Sequence, residues 1–506
     1  MDNAPAPIRN ARWWYVAALL VAVLVRGALL AEKPFWRDEA WVALLVEGRS
    51  LPQFDPLQPR PAPVGFVAAA RLSGALPVRP EVGYRLPALL AGIALVPVLG
   101  RLASALGAPA PIPLLVVWLA AGAPALVYYS RELKPYGIDA LCAALAPLLA
   151  LRCAGRGADG GGLSPAAATA AFVALAALAP WCTYGGQFAI AAALAWGWLG
   201  WWPGADPTTR RRWLLISVVF ALSFVAAYRY ALQAQADSET LRAFWKPWTF
   251  AGRSDGYAWK TLVAAWRYAS LSAGYVFANA WPLLIPLAAL GAAVWPRRCR
   301  PLLLWSYAAP GALAIGAALA DRYLLAEGRL LLFAAPPLLL AAAAGLAAGG
   351  RRWRAHPQAL ALATAVGLGL AWSAKAIAHR LPPYRNDPRA YFRYDTLHDV
   401  DALLADAERI LPPGAPAFVS MYASKSVLYY ARGRLADAMT CLEPCPQVGS
   451  VFDAWVDGLT GPGWLVVLDE ERHGYAARLP ARGASAQVVA SARGGELWEI
   501  RKGASR

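Results

Sequence analysis

The amino-acid sequence predicts an α-helical polytopic membrane protein with a small α/β domain at its C-terminal end. Hydrophobic residues make up 58% of the 506 residues, and the mean hydropathy of +0.40 is well above that of an ordinary soluble domain. The apolar residues fall into blocks of roughly twenty, the length at which a helix crosses the hydrocarbon core of a bilayer. After residue 377 this pattern gives way to short alternating apolar and polar segments.

About eleven of these blocks are predicted to be transmembrane helices. The first leads directly into RDEAW without a small-residue cleavage site, so we interpret it as a membrane span rather than a cleaved signal peptide. Arg26 lies near its outer end and is predicted to extend its charged group to the interface. The predicted spans cover residues 13–31, 83–100, 111–129, 135–153, 165–181, 187–202, 213–232, 281–296, 301–320, 329–348 and 358–377.

Arginine residues set the predicted orientation. Every second connection between spans is basic and almost free of acids, from Arg9 and Arg12 before the first span to Arg351, Arg352 and Arg354 before the last. The positive-inside rule therefore places the N-terminus in the cytoplasm and the C-terminal domain outside a plasma (inner) membrane. The same clusters account for the net charge of +17. Because no basic stripe lies on a soluble module, nucleic-acid binding is disfavoured.

Residues 1–377 are predicted to form the membrane-embedded domain, with long outer loops at 32–82 and 233–280. In the first loop, EAWVALLVEG has apolar residues at helical spacing, which is typical of a helix that lies in the membrane interface. VGFVAAARLSGAL, after a proline-rich break, is predicted to form a second helix. The second loop is rich in Trp and Tyr, which favour the headgroup level, so an aromatic belt is the simpler interpretation and sugar stacking the alternative.

Residues 378–506 are predicted to form a separate α/β domain on the outer face. Segments such as PAFVSM and GWLVVLD have the length and composition of short buried strands. Cys441 and Cys445 in TCLEPCP could form a disulfide in an oxidising compartment, and the sequence leaves this open. The predicted elements are helices near 396–411 and 424–431, strands near 416–421 and 464–469, and a final strand pair.

The stretch PFWRDEAW places two adjacent carboxylates, Asp38 and Glu39, where the chain leaves its first predicted span. One interpretation is structural, because acids near a helix N-terminus are stabilised by the helix dipole. The other is functional. Neighbouring aromatic residues make dehydration costly, and ionisable residues at the membrane border are candidates for a reactive site.

Four segments together resemble the membrane-embedded GT-C glycosyltransferases. In chain order they are FWRDEAW, the proline-rich QPRPAPVGFV, GYRLPALLAG and LVYYSRELKPYGID. Each motif is short, but their order and their shared placement on the predicted outer face are specific. Within the superfamily the sequence is most similar to the polyprenyl-phosphate-sugar group that includes protein mannosyltransferases and the lipid A aminoarabinose transferase. The resemblance covers roughly residues 10–350.

The resemblance implies transfer of a sugar from a polyprenyl-phosphate carrier to an acceptor hydroxyl on a lipid, glycan or protein. Asp38 would be the general base, and Glu39 would orient the acceptor, Asp38 or a metal. A glycosyl phosphate already has a competent leaving group, so one carboxylate is enough for a single displacement with inversion. The two acids together could also hold Mg²⁺ or Mn²⁺, which prefer oxygen ligands. The sequence does not decide between the metal-assisted and the metal-free versions.

The leaving phosphate needs cations, and Arg and Lys bind it in different ways. Arg329 precedes an apolar run with Pro and resembles a family segment of that kind. For Arg85 the competing interpretation is that the side chain only extends its charge to the membrane interface. For the YSRELKPY segment the competing interpretation is a solvated turn. The predicted donor-phosphate residues are Arg131, Lys134, Arg329 and Arg85, and the predicted supporting residues are Glu132, Tyr136 and Asp139.

Two other functions are compatible with many spans and basic phosphate contacts. A transporter or flippase for lipid-linked sugars is the first, but it would more often contain two related halves, and the sequence has no internal repeat. A polysaccharide ligase or polymerase that uses a diphosphate carrier is the second. A glycine-rich phosphate loop after a strand is absent from the sequence, which disfavours a nucleotide-sugar donor.

Overall fold

A computed structural model describes residues 11–28, 30–31, 34–49, 62–157, 162–233, 249–250, 256–325, 327–350, 357–378, 400–420, 424–430, 439–442, 450–492 and 495–503. Within this part of the chain, helices occupy every predicted span. The helices are α1 (Ala11–Gly27), α2 (Arg37–Val46), α3 (Val64–Gly74), α4 (Pro80–Gly83), α5 (Leu86–Ala105), α6 (Pro111–Gly122), α7 (Pro124–Tyr129), α8 (Tyr136–Cys153), α9 (Pro165–Cys182), α10 (Gly186–Trp196), α11 (Pro207–Ala227), α12 (Tyr257–Phe277), α13 (Trp281–Val294), α14 (Arg300–Leu319), α15 (Ala335–Gly350), α16 (Pro357–Ala378), α17 (Val400–Ile410), α18 (Ser424–Tyr430), α19 (Ser450–Asp457) and α20 (Asp469–Arg478).

The predicted count of about eleven membrane spans is not confirmed. Six helical stretches in the described residues are long and apolar enough to cross a membrane, or seven if the bent pair α12 and α13 is one span. Several predicted spans are divided. The block at 111–129, for example, forms two helices, α6 and α7, that meet at Ala123. The apolar length of a block therefore does not by itself show that the block forms one unbroken helix.

The core of the membrane part surrounds α6. All twelve of its residues are buried, and it is apolar on every side, which is typical of a helix enclosed by other helices. It packs against α1, α5, α15 and α16.

Arg26 of α1 donates hydrogen bonds to carbonyl groups at the break between α6 and α7. Pro124 has no N–H, so the carbonyl of Ala120 lacks its usual partner four residues ahead. Arg26 donates to the carbonyls of Ala120 and Ala121 at 2.9 and 2.7 Å and to Ser130 Oγ at 3.2 Å. Its side chain is fully buried, so the prediction that it extends to the membrane interface is wrong. The proline break makes buried acceptors available inside the protein.

The C-terminal part contains a five-stranded mixed sheet. Its strand order is β2-β1-β3-β5-β4, with β1 parallel to both β2 and β3, and with β5 antiparallel to β3 and β4. Four strands match the predicted ones, whereas β2, α19 and α20 were not predicted. The strands are β1 (Ala417–Val419), β2 (Met439–Leu442), β3 (Gly463–Leu468), β4 (Ala484–Ala492) and β5 (Gly495–Lys502). Cys445 lies outside the described residues, so the predicted disulfide stays a prediction.

The helix that begins within PFWRDEAW is buried rather than spread on a membrane surface. The sequence predicts an interfacial helix, yet Ala40, Val42 and Ala43 of α2 are each 0% exposed. The reason is that α3 covers one side and α18, from the C-terminal part, covers another. The prediction of a helix is correct, but its environment is protein.

Part of the second predicted loop is also a helix. α12 spans Tyr257–Phe277, with Trp259 and Trp266 exposed and Tyr268 buried. The aromatic residues therefore divide between an outward face, as expected for a belt, and an inward face. Trp245 and Trp248 lie outside the described residues.

Candidate active site

Asp38 and Glu39 lie in the first turn of α2, where the helix dipole favours negative charge. Trp36 is the N-cap residue, and its side chain makes no cap hydrogen bond to the helix. Neighbouring residues on an α-helix point about 100° apart. The two carboxylates therefore diverge from the same turn and meet different partners.

Glu39 is locked in a buried ion pair with Arg85, the residue that precedes α5. Arg85 Nε and Nη2 donate to the two carboxylate oxygens at 2.8 and 2.7 Å, and both side chains are 0% exposed. The backbone N–H of Leu133 donates to the same carboxylate at 2.7 Å. Arg85 also donates to the carbonyls of Leu30 and Pro34 at 3.1 and 3.3 Å. In this arrangement a phosphate would have to displace Glu39 from Arg85. Phosphate binding by Arg85 therefore stays a prediction.

Asp38 meets Arg329, which lies 291 residues further along the chain. Arg329 Nη1 is 3.3 Å from Asp38 Oδ2, and the two side chains are 14% and 20% exposed. Arg329 Nε also contacts the carboxylate of Glu327. Arg329 is the second residue of a 3-10 segment, Gly328–Ala334, that leads into α15. This pair is held less tightly than the Glu39–Arg85 pair and remains partly open.

Three tyrosines surround the guanidinium of Arg329. Its Cζ atom lies 5.9 Å from the ring centroid of Tyr136, within the range of a cation–π contact. The Tyr136 ring packs edge-on against Tyr129 at 5.1 Å, and the Tyr129 hydroxyl is hydrogen-bonded to that of Tyr275 in α12. The Tyr136 ring therefore lies beside a predicted phosphate-binding residue.

The YSRELKPY turn packs directly against the segment that carries the acids. Trp36 Nε1 donates to Glu132 Oε2 at 2.5 Å, and the Leu133 N–H bonds to Glu39. Glu132 is fully buried, and Lys134 is only 4% exposed. These two hydrogen bonds fix the turn between α7 and α8 beside the first turn of α2.

Lys134 lies within electrostatic range of Asp38 and Arg329. Burial lowers the pKa of its ammonium group, whereas the carboxylate of Asp38 acts in the opposite direction and the Arg329 guanidinium adds to the lowering. Arg131, 1% exposed, donates to the carbonyl of Ala28 just after α1. Lys134 is therefore in electrostatic contact with Asp38.

The side chain of Asp139 accepts hydrogen bonds from the backbone at the start of α10. Its Oδ1 accepts from the backbone N–H groups of Gly185 and Gly186 at 3.0 and 2.9 Å. These N–H groups open α10, and the first N–H groups of a helix have no partner within it. The carboxylate therefore fastens α8 to the start of α10, and its described hydrogen bonds do not extend to the turn at residues 130–135.

The described residues do not fit a divalent metal ion. They contain no group of three or more His, Cys, Asp or Glu side chains placed to hold one. Both carboxylate oxygens of Glu39 already accept hydrogen bonds from Arg85, and the side chain has no exposed surface. We therefore derive no step through a metal.

Sequence reasoning missed two groups beside the predicted residues. Glu327 contacts Arg329, and its position two residues earlier in AEGRLLL was an available signal. Trp36 donates to Glu132 across almost a hundred residues, and no local pattern could have paired them.

Solved structures of known proteins share this architecture. ArnT from Cupriavidus metallidurans in the apo state is similar over 97% of this chain and 98% of its own, with a TM-score of 0.59 and 14% identity. The same protein bound to undecaprenyl phosphate matches over 96% and 98%, again with a TM-score of 0.59 and 14% identity. An oligosaccharyltransferase from Archaeoglobus fulgidus in the apo form has a TM-score of 0.49 and 14% identity, and covers 93% of this chain and 71% of its own.

No family model and no curated protein sequence matches the chain. The likeness to ArnT, at 14% identity, shows that this chain shares the fold of that protein.

Proposed function

We propose that this protein is a membrane glycosyltransferase that moves a hexosyl or pentosyl group from a polyprenyl-phosphate carrier to an acceptor hydroxyl on the outer face of the plasma (inner) membrane. The observation that carries the proposal is the partly exposed contact of 3.3 Å between Asp38 and Arg329. It places a carboxylate and a guanidinium together within a GT-C fold. The similar ArnT structure bound to undecaprenyl phosphate supports a lipid-phosphate carrier.

The proposed reaction is one displacement at the anomeric carbon of the sugar. Asp38 accepts the proton of the acceptor hydroxyl as its oxygen attacks that carbon. The bond from the anomeric carbon to the phosphate oxygen breaks, and its electron pair leaves with the phosphate. Attack opposite to the leaving group inverts the configuration, so a second catalytic carboxylate is not required.

Arg329 and Lys134 are the proposed partners of the leaving phosphate. Arg329 presents a planar guanidinium that can bind phosphate oxygens in pairs, and Lys134 supplies a second positive charge. Burial keeps Lys134 away from bulk water, where its attraction to an anion would be weaker. A phosphate that reaches Arg329 would also draw it away from Asp38, which would free the carboxylate to act as base.

Glu39 has a supporting role in this proposal. Its carboxylate is neutralised by Arg85, so it is a poor proton acceptor, and it is not exposed to an acceptor molecule. Together with the Leu133 N–H it aligns the start of α2, and thereby Asp38, with the YSRELKPY turn.

Asp38→Asn tests the proposal directly. General-base catalysis contributes roughly 10²- to 10⁴-fold, so the variant is expected to lose transfer by about that factor. The assay follows sugar transfer from a polyprenyl-phosphate-sugar donor in detergent or proteoliposomes. Asp406→Asn is the matched control, because it changes an exposed aspartate whose partner is Arg409 on the same helix.

Normal turnover in Asp38→Asn would exclude Asp38 as the base. A donor that reacts only as a diphosphate would favour the ligase or polymerase alternative, and carrier movement without transfer would favour a flippase. Mass spectrometry of envelope lipids and glycans, with and without the gene, would identify the transferred sugar and its acceptor.

A further inference from the structure

The C-terminal α/β part contacts the segment that carries Asp38. The hydroxyl of Tyr430, the last residue of α18, accepts a hydrogen bond from the backbone N–H of Phe35 at 2.6 Å. The neighbouring Tyr429 packs edge-on against the Phe35 ring at 5.3 Å. Phe35 is fully buried, and it lies three residues before Asp38. A contact across 395 residues therefore holds the entrance to α2.

Phe35 lies at the centre of a packed cluster from three parts of the chain. Tyr84 stacks on its ring with centroids 6.0 Å apart, and the Arg85 guanidinium lies 4.9 Å from its centroid. Tyr430 also donates to Glu81 Oε1 at 3.2 Å, in the short helix before α5. The same Arg85 holds Glu39, so Tyr430, Phe35 and the Glu39–Arg85 pair form one continuous set of contacts.

The Tyr430 hydroxyl acts as donor and acceptor at once. Burial raises its pKa, so the group stays protonated at physiological pH. It can therefore donate to Glu81 while it accepts from Phe35. Without this hydroxyl, the Phe35 N–H would lose the hydrogen bond described for it in a buried place, which disfavours the present path of the chain.

We propose that Tyr430 is a positioning residue for Asp38, so that the α/β part completes the active site instead of only covering it. The proposal rests on the proposed function, because it gives Asp38 the role of base. The N-cap residue Trp36 provides no side-chain cap for α2. The path of the chain into the first turn is therefore set by the Phe35–Tyr430 and Trp36–Glu132 hydrogen bonds.

Tyr430→Phe removes the hydroxyl and keeps the ring. A small displacement of a reacting group can cost up to about a hundredfold in rate. We expect kcat to fall on the order of tenfold, with the KM for the polyprenyl-phosphate-sugar donor unchanged, since Arg329 and Lys134 are not touched. Tyr475→Phe is the matched control, because Tyr475 is a buried tyrosine packed with Phe418 and Phe452 in a separate cluster of the α/β part.

The same change in an Asp38→Glu background separates positioning from general stability. There the carboxylate is already displaced by one methylene, so Tyr430→Phe is expected to add less than about a twofold loss. An equal loss in both backgrounds, or a rise in donor KM, would overturn the positioning role. Unchanged kcat in Tyr430→Phe would overturn it as well.

Failure of the proposed function has a different signature. If Asp38→Asn keeps normal turnover, the proposed base is wrong and the inference about Tyr430 falls with it. If Asp38→Asn is inactive while Tyr430→Phe is normal, only the inference fails. Should Tyr430→Phe not fold, Glu81→Gln weakens the acceptor of the same hydroxyl, and a smaller fall in kcat with unchanged donor KM is the expected result. Normal kcat in that variant would overturn the inference.

Discussion

Two acid–arginine pairs start from adjacent residues of α2 and differ in nearly every physical respect. Glu39 and Arg85 are fully buried and joined by two hydrogen bonds of 2.7 and 2.8 Å. Asp38 and Arg329 are partly exposed, and their charged groups are 3.3 Å apart. A fully buried pair holds the backbone in place, whereas a partly exposed pair can exchange its contact for a ligand.

Helix geometry explains how neighbours in sequence acquire these different environments. A rotation of about 100° per residue directs Glu39 towards the start of α5 and Asp38 towards the 3-10 segment before α15. The negative charge that the two residues share therefore says little about their roles. Burial distinguishes Glu39 from Asp38, the proposed base, and substitutions at the two arginines can test that distinction.

The largest effect is expected from Arg85→Ala. It would leave Glu39 as a buried carboxylate without its guanidinium partner, and breaking a buried pair in this way costs about 3–5 kcal/mol. We expect poor recovery of folded protein and early thermal unfolding in detergent, with activity lost as a consequence. A variant that stays as stable as the wild type would show that the buried pair does not fix α2.

The next effect concerns an acid that is not paired with arginine in the described contacts. Asp139→Ala removes the acceptor for Gly185 and Gly186 N–H at the start of α10, and each buried donor left without a partner costs about 1–3 kcal/mol. Asp139→Asn keeps an oxygen acceptor and is the matched control. Thermal unfolding should fall in temperature for the alanine variant and much less for asparagine. Equal stability of both variants would remove the proposed link between α8 and α10.

The smallest change in stability is expected from Arg329→Lys. This substitution gives the sharpest test of the difference between the two acid–arginine pairs. Lysine can keep a single contact with Asp38, so the unfolding temperature should stay near that of the wild type. Lysine cannot bind phosphate oxygens in pairs, and we expect donor KM to rise about tenfold, equivalent to about 1.4 kcal/mol. The same substitution at Arg85 should instead lower stability, because its bidentate geometry is lost. A lowered unfolding temperature without a change in donor KM would make Arg329 structural as well.

The sequence predicted the helices of the membrane part well, because long apolar blocks have few alternatives in a bilayer. The predicted number of spans is not confirmed, and a break such as Ala123–Pro124 leaves the apolar composition of a block unchanged. In the C-terminal part, β2 is only four residues long and was missed. Short segments of that kind carry too little periodicity to be recognised.

The candidate site was predicted in its residue types more than in its contacts. Asp38, Arg329 and Tyr136 do come together, and no local pattern could have shown that Glu39 would be saturated by Arg85. Tyr430 was missed because its partner Phe35 lies at the opposite end of the chain. Pairings of this kind depend on tertiary structure, which a single sequence does not contain.

The hydrogen bonds of Arg26 predict the order in which two helices of the membrane part come together. An arginine costs about 2.5–3.5 kcal/mol at the centre of an inserting helix and less near its end. Its two shortest hydrogen bonds to carbonyls go to residues 120 and 121, which are synthesised about ninety residues later. We expect α1 to enter the bilayer before these hydrogen-bond acceptors of Arg26 are present. α6 supplies them when it inserts later. We therefore expect α1 and the helix pair α6 and α7 to depend on each other during membrane insertion.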